Sequence, residues 1–466
     1  MRRTSSKFFR PLEHQKLIRK HLHSRRQALV YAGCGLGKTA SCLSVVDDLF
    51  TDCALKGVLV VAPLRVANLT WPAEVEEWKQ FSWMKVANLR TPEGQAAFRR
   101  GEAHIYVINY ESLPKILGML LKGKRFKTWP IDLVIWDEVS KAKNPKSKRI
   151  RAAKYYLWKI ERHWGLTGTP AANGLMDLFG QALLIDRGKS LGTSVTAYKL
   201  RYFEPVDYQG RKWEPQEHAR KSIYKRLKDV AISLKASDWL DIPDITEEDH
   251  ELALPAVAKG QYDKLKKELL LLLESGSEVV AVNAAVLVNK LLQVTSGAVY
   301  VEGDKKIWEP VHQAKIQAAA KIVRDNGSPV LVACYFKHEQ ERLAKAIPGA
   351  VLFSSAKTHA QQKELVARWN AGKIKALIAN PKSMAHGLNM QKGGFTVLWT
   401  TLTWSREDYD QLNARLWRQG QEDCVKVIRL VMPGTVDDAV AFALHSKHEE
   451  EAALFSALSA FRRLVA

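Results

Sequence analysis

Lys38 and Thr39 follow a glycine-bearing loop, Asp137 and Glu138 form an adjacent acidic pair, and Arg415 and Arg418 lie close together near the other end of the chain. Each type suits one part of triphosphate chemistry. A lysine in such a loop reaches the β and γ phosphates, and the hydroxyl beside it ligates magnesium. Of two acids, one can hold the ion, usually through a water, while the other orients and deprotonates an attacking water. Arginines supply planar positive charge to a γ phosphate in transfer.

Each signal also has a plainer reading. The strict phosphate-loop pattern opens on glycine, where this chain has Ala32, so "CGLGKT" alone could be a glycine-rich helix entry. Its surroundings favour the loop: a strand "QALVYA", the turn "GCGLG" with Gly35 and Gly37, then "KTASCLSVVDDLF" with helical apolar spacing. Backbone N–H groups at such a helix start face phosphate oxygens, helped by the helix dipole. "DLVIWDEVS" places Asp137 and Glu138 at a strand end, which alone could be a solvated loop or a cap. "GLTGTP", with Thr167 and Thr169, would pass for an ordinary turn. In "QLNARLWRQGQ", Arg415 and Arg418 share one face if the segment is helical, as a salt-bridge patch or as arginine fingers. Far along the chain from Lys38, they could reach it only across a domain cleft, so that hydrolysis would depend on closure.

The elements that must position these residues alternate between strand-like and helical runs. "ALVYA", "GVLVVAP", "HIYVINY", "LVIWDE" and "HWGLTGT" predict a parallel α/β sheet whose ligand site lies beyond the carboxyl ends of its strands. After about residue 185 come basic, aromatic-containing stretches and two predicted helices, "AKGQYDKLKKELLLLLESG" and "AVNAAVLVNKLLQV". "PVLVACYF", "KALIANP", "FTVLWTT" and "CVKVIRLV" then predict a second α/β sheet. A chain of 466 residues exceeds the size at which one core stops growing, about 250–300 residues. The expected division is 1–185, 186–310 as inserted or connecting structure, and 311–466.

The formal net charge of +22 points to a polyanionic partner, with nucleic acid favoured over a mere solubility device. Cys34, Cys42, Cys53, Cys334 and Cys424 form no C-x-x-C pair and no zinc spacing, which reads as reduced and intracellular. The basic start has no apolar segment behind it, and "ELLLLLES" is too short to cross a bilayer, so a soluble, cytosolic protein without a membrane partner is expected.

In order, "FRPLEHQ", "GLGKT", "VVAPLRVANLTWPAEVEEW", "VINYES", "WDEVSKAKNPKS", "LTGTPAAN", "PVLVACYF", "KSMAHGLNMQ", "QLNARLWRQGQ" and "VIRLVMPGTVDDAV" make the chain resemble superfamily-two helicases. The resemblance is to the Swi/Snf-type DNA translocase ATPases, in a compact form like those of bacteriophages, and runs from about Phe8 to Ala441. It implies two RecA-like domains, each a parallel sheet flanked by helices, with helical protrusions and a linker between them. ATP would bind in the cleft with magnesium, and nucleic acid would lie across both domains. Gln15 would hold adenine; Gly35, Gly37, Lys38 and Thr39 would bind triphosphate and magnesium; Asp137 and Glu138 would serve magnesium and water. Gly387 would touch nucleotide, Gln411, Arg415 and Arg418 fall on the arginine motif, and Thr167 and Thr169 would couple nucleotide state to DNA. Arg65, Lys143, Asn144 and Ser383 lie in segments that face nucleic acid in the family, as does the basic run from Lys141 to Lys159. Two departures touch the coupling: Ser140 stands for the family's histidine, and "SMAHG" lacks the usual glycine pair.

These readings lead to a double-stranded DNA-stimulated ATPase that translocates on the duplex. A strand-separating DNA or RNA helicase uses the same residues, and a DNA-binding remodelling module with a decayed ATPase is the non-enzymatic alternative. Replication, recombination or nuclease partners in trans remain open.

Overall fold

The structure is a computed structural model that describes residues 7–33, 35–121, 129–171, 174–206, 213–235, 238–239, 242–274, 280–301, 307–384 and 388–445. The chain divides into two compact units, 1–240 and 241–466.

The first unit contains β1 (Gln27–Ala32), β2 (Val58–Ala62), β3 (Val86–Asn88), β4 (Ile105–Asn109), β5 (Leu133–Asp137), β6 (Arg162–Thr167), β7 (Phe203–Pro205), β8 (Trp213–Pro215) and β9 (Ala231–Leu234). Seven of them make one sheet in the order β3-β4-β2-β5-β6-β1-β9, with every neighbouring pair parallel. β7 and β8 form a separate antiparallel ribbon. Runs such as "VLVVA" in β2 and "IYVIN" in β4 are buried throughout, as strands covered on both faces by helices must be. The acids, hydroxyls and glycines come where these runs stop, at the carboxyl ends.

The second unit contains β10 (Ile245–Glu251), β11 (Ala298–Tyr300), β12 (Trp308–Pro310), β13 (Val330–Ala333), β14 (Val351–Leu352), β15 (Ala376–Ala379), β16 (Thr396–Trp399) and β17 (Val425–Val431). Its six-stranded sheet runs β10-β17-β16-β13-β15-β14, again parallel throughout. Apolar clusters pack on it, among them Leu331, Trp369, Leu377, Val397 and Trp399 in one and Ile316, Val330, Ile378, Leu398 and Leu430 in another. A buried ion pair between Lys315 and Asp437 (2.6 Å) joins the helix Ala314–Asp325 to the segment after β17, and Thr295 donates to the same carboxylate (3.0 Å).

Every strand predicted in the two α/β segments is present, and the fold is two parallel sheets each flanked by helices. β3, β10 and β14, which differ from that expectation along with β9, escape it for two physical reasons. β3 and β14 are too short to show a period. β10, "ITEEDHE", is almost wholly polar and lies at a sheet edge, where charge pairs with β17 take the place of apolar packing. Glu248 meets Lys426 (2.9 Å), and Arg429 reaches Glu247 (3.2 Å) and Asp249 (2.6 Å). Residues 186–310 contribute helices such as Val195–Tyr202 and Ala256–Glu274, together with β9 and β10, one strand in each sheet. Among the described residues, no helix is long and apolar enough to cross a membrane.

Candidate active site

The phosphate loop begins where β1 ends. Ala32 is the last residue of that strand, paired with Leu234 of β9. An extended residue needs no glycine, which accounts for the departure from the strict pattern. The turn that follows needs glycine twice: Gly35 (φ 85°) and Gly37 (φ 66°) are left-handed, and Gly37 caps the helix Lys38–Thr51. Cys34 lies outside the described residues. Lys38 folds its ammonium back onto the loop, donating from Nζ to the carbonyls of Ala32 (2.7 Å) and Gly33 (3.2 Å). Thr39 is half-buried in the first helical turn.

Gln15 is brought to this loop by the helix Glu13–His23. Its Oε1 accepts from the Leu12 amide (2.9 Å), and its side-chain amide lies against the Cα of Gly37, where any Cβ would strike it. Gly37→Ala therefore meets both a crowded neighbour and a left-handed backbone costing about 1–2 kcal/mol. The expected result is a loss of ATP affinity of about tenfold or more by equilibrium titration, following from that strain. Unchanged affinity would contradict this account of the loop.

The acidic pair closes β5. Trp71 donates its indole N–H to Asp137 Oδ2 (2.8 Å). Burial is the main cause that pushes the Asp137 carboxyl up to about 6, and the Glu138 charge adds to it; the Trp71 hydrogen bond and the Lys38 charge act the other way. Burial, and after it the Asp137 charge, raise the thiol of Cys42, on the helix that follows the phosphate loop.

Glu138 has a left-handed backbone (φ 59°, ψ 58°), uncommon for a residue with a side chain. Its Oε1 accepts hydrogen bonds from Ser140 Oγ (2.8 Å) and from Thr167 Oγ1 at the end of β6. Thr167 Oγ1 in turn accepts from the Thr169 amide (3.2 Å). The fold thus brings Glu138, Ser140, Thr167 and Thr169 into one hydrogen-bonded set. The serine that departs from the family pattern points its hydroxyl at the acid. Gly180 lets the helix Met176–Asp186 approach the carbonyls of Ala142 and Lys143, leaving no space for a Cβ.

Two further residues at this site stand in "VVAPLRVANLTWPAEVEEW" and "VINYES", where sequence assigns them no role. Trp71 is fully buried against Asp137, and Tyr110, just past β4, shares its hydroxyl between the carbonyls of Asp137 (3.1 Å) and Glu138 (3.2 Å). A buried indole or phenol needs a hydrogen-bond partner. That signal was available in sequence, although the partner was not.

The residues expected to face nucleic acid in this unit lie past the ends of β2 and β5. Arg65 is half-buried, while Lys143 and Asn144 are exposed. Asn144 Oδ1 accepts from the Lys146 amide (2.9 Å), and Ser147 caps the helix Lys148–Leu157. Lys143, Lys146, Lys148, Arg151 and Lys159 all present exposed side chains along the basic run.

In the second unit, the helix Arg406–Asn413 carries Gln411, whose amide donates to Glu407 (3.0 Å). The helix ends at Asn413, whose side chain accepts from the Trp399 indole (3.0 Å). Arg415 and Arg418 consequently lie in the turns beyond it, and the shared helical face expected for them is absent. Arg415 donates from Nε to the Gln411 carbonyl (2.8 Å), and Arg418 from Nη1 to the Leu388 carbonyl (3.0 Å). The arginine segment thereby meets the chain that follows β15. Ser383 lies on that stretch, donating to the Asn380 carbonyl (2.6 Å), whereas Gly387 lies outside the described residues.

The donor chemistry at the first unit's strand ends fits magnesium, which asks for one or two carboxylates beside phosphate and water oxygens. Asp137 and the Thr39 hydroxyl are hard oxygen donors of that kind.

Comparison with known proteins gives two family models in sequence order: SNF2-related domain over residues 14–296 and Helicase conserved C-terminal domain over residues 314–420. The chain is 36% identical over 470 residues to protein p41 of Acyrthosiphon pisum secondary endosymbiont phage 1, covering 97% of this chain and 99% of that one. It is 22% identical over 482 residues to the human DNA repair and recombination protein RAD54B, covering 90% of this chain but 51% of the relative. Among solved structures, the Sulfolobus solfataricus SWI2/SNF2 ATPase core in complex with dsDNA aligns over 99% of this chain and 97% of that one, with 18% identity and a TM-score of 0.45.

Proposed function

We propose that this chain, which belongs to the SNF2-related family, hydrolyses ATP under stimulation by double-stranded DNA and uses that hydrolysis to translocate on the duplex. The observation that carries the reading is the joining of two halves of a hydrolytic site. The phosphate loop follows β1, Thr167 ends β6, and Asp137 and Glu138 close β5; these three parallel strands are neighbours, and Glu138 is hydrogen-bonded to Thr167.

In this mechanism the loop amides and Lys38 bind the triphosphate, and the ammonium exchanges its two loop carbonyls for phosphate oxygens. Gln15, beside Gly37, reads adenine. Thr39 and Asp137 would hold magnesium, which would supply neutralisation of phosphate charge. Glu138 orients the attacking water and takes its proton. Thr167 and Ser140 hold that carboxylate in place, and the bond from Thr169 to Thr167 lets movement of the loop after β6 reach it. Arg415 and Arg418, with Gln411, would supply charge to the γ phosphate, and Gly387 would touch nucleotide.

DNA enters this reading through charge and kinship. The chain carries a formal +22, its relatives include a DNA repair and recombination protein, and exposed lysines lie directly after the acidic pair. Arg65, Lys143, Asn144 and Ser383 would hold the phosphate backbone without reading bases. Such a grip releases counterions, so it weakens steeply with salt.

The test is ATP turnover with no nucleic acid, single-stranded DNA, duplex DNA and RNA. Duplex DNA is expected to stimulate most. Affinity should fall as salt rises, and Lys143→Ala should flatten that dependence by about one unit of log–log slope. Stimulation by single strands or RNA but not by duplex would instead identify a strand-separating helicase, and DNA binding with no turnover would identify a decayed module.

A further inference from the structure

We propose that Tyr110 is a positioning residue for Glu138: its hydroxyl, shared between the Asp137 and Glu138 carbonyls, holds the backbone turn that aims the Glu138 carboxylate at the attacking water. The inference rests on the ATPase reading of Glu138. It concerns how this chain keeps an acid in a backbone conformation that its side chain disfavours.

Tyr110 follows β4, and sheet order places β2 between β4 and β5. The phenol therefore reaches past the end of β2 to the end of β5. It is 1% exposed, and its ring packs near Trp136 of β5 with centroids 6.1 Å apart. The oxygen lies 3.1 Å from the Asp137 carbonyl and 3.2 Å from the Glu138 carbonyl, the carbonyls of the two peptides that flank the left-handed Glu138.

Other contacts at Glu138 do different work. Ser140 and Thr167 hold the carboxylate oxygen, and the Lys141 amide bonds the Glu138 carbonyl (3.1 Å) within its own turn. Tyr110 alone among these comes from a different strand end and bonds the backbone. Its removal would leave the carboxylate with its partners but let the peptide relax, and a shift of about 1 Å in a catalytic group can cost about a hundredfold in rate.

Tyr110→Phe keeps the ring in the core and deletes only the hydroxyl. In the intact chain with duplex DNA, kcat for ATP should fall by about 10- to 100-fold, with KM and ATP affinity unchanged. In single-turnover measurements, Tyr110→Phe combined with Glu138→Gln should be no slower than Glu138→Gln alone, because the hydroxyl acts through that acid. Unchanged kcat, a further loss on top of Glu138→Gln, or loss of ATP binding or thermal stability along with rate would overturn the assignment in favour of plain scaffolding. Failure of the ATPase reading itself would show separately, as a wild-type chain that does not hydrolyse ATP with any nucleic acid.

Discussion

Glu138→Gln is expected to lower kcat for ATP by about 10²- to 10⁴-fold, the usual contribution of a positioned general base. ATP should remain bound with near wild-type affinity. The amide has the shape of the carboxylate and keeps an oxygen to accept from Ser140 (2.8 Å in the wild type) and Thr167. The loop after β6 should therefore stay in place, and only basicity is lost. Single-turnover hydrolysis beside equilibrium binding of a fluorescent ATP analogue separates the two effects. Lys38→Ala is the useful contrast, since it removes the loop's ammonium and should weaken binding itself. Wild-type turnover in Glu138→Gln would remove Glu138 from the mechanism and send the search for the base elsewhere.

Arg418→Ala carries the other large effect, a fall in kcat of about 10³-fold or more, as for other arginines that neutralise a transferring phosphate. The triphosphate should still bind, because Lys38 and the phosphate loop lie in the first unit. Arg418→Lys should recover little, since a point charge does not reproduce the planar fork of a guanidinium. Arg418 is the cleaner position to test. Arg415 is 6% exposed and bonds the Gln411 carbonyl (2.8 Å), so its truncation also removes buried packing. Turnover and DNA affinity measured on the same preparation decide the matter. Arg418→Ala hydrolysing at the wild-type rate would exclude it as the finger.

The sequence by itself determined the sheets and the places where chemistry could occur. Apolar runs such as "VLVVA" and "LVIWD" must be buried in parallel sheets, and what ends each run must lie along one edge. That reasoning is local, which is why it located Lys38, Asp137, Glu138 and Thr167 correctly on their elements. It could not reach β10, whose charged residues carry no apolar period. It also could not know that the arginine helix would stop at Asn413, a residue whose side chain is bonded by a buried indole from β16.

Only the tertiary structure decided which strand ends meet. Thr167 bonds an acid 29 residues earlier, Tyr110 holds carbonyls 27 and 28 residues later, and Trp71 reaches a carboxylate 66 residues away. None of these separations has a period or a motif. They follow from a strand order in which β4, β2, β5 and β6 lie side by side although β2 and β5 are far apart in sequence and β5 and β6 are separated by a helix. The physical reason is that burial along a chain is read from nearest neighbours, whereas a hydrogen bond between strand ends exists only after the sheet has closed the distance. The phosphate loop was legible because backbone and helix make it within a few residues; the support around Glu138 was not, because it is assembled from the ends of β4, β5 and β6.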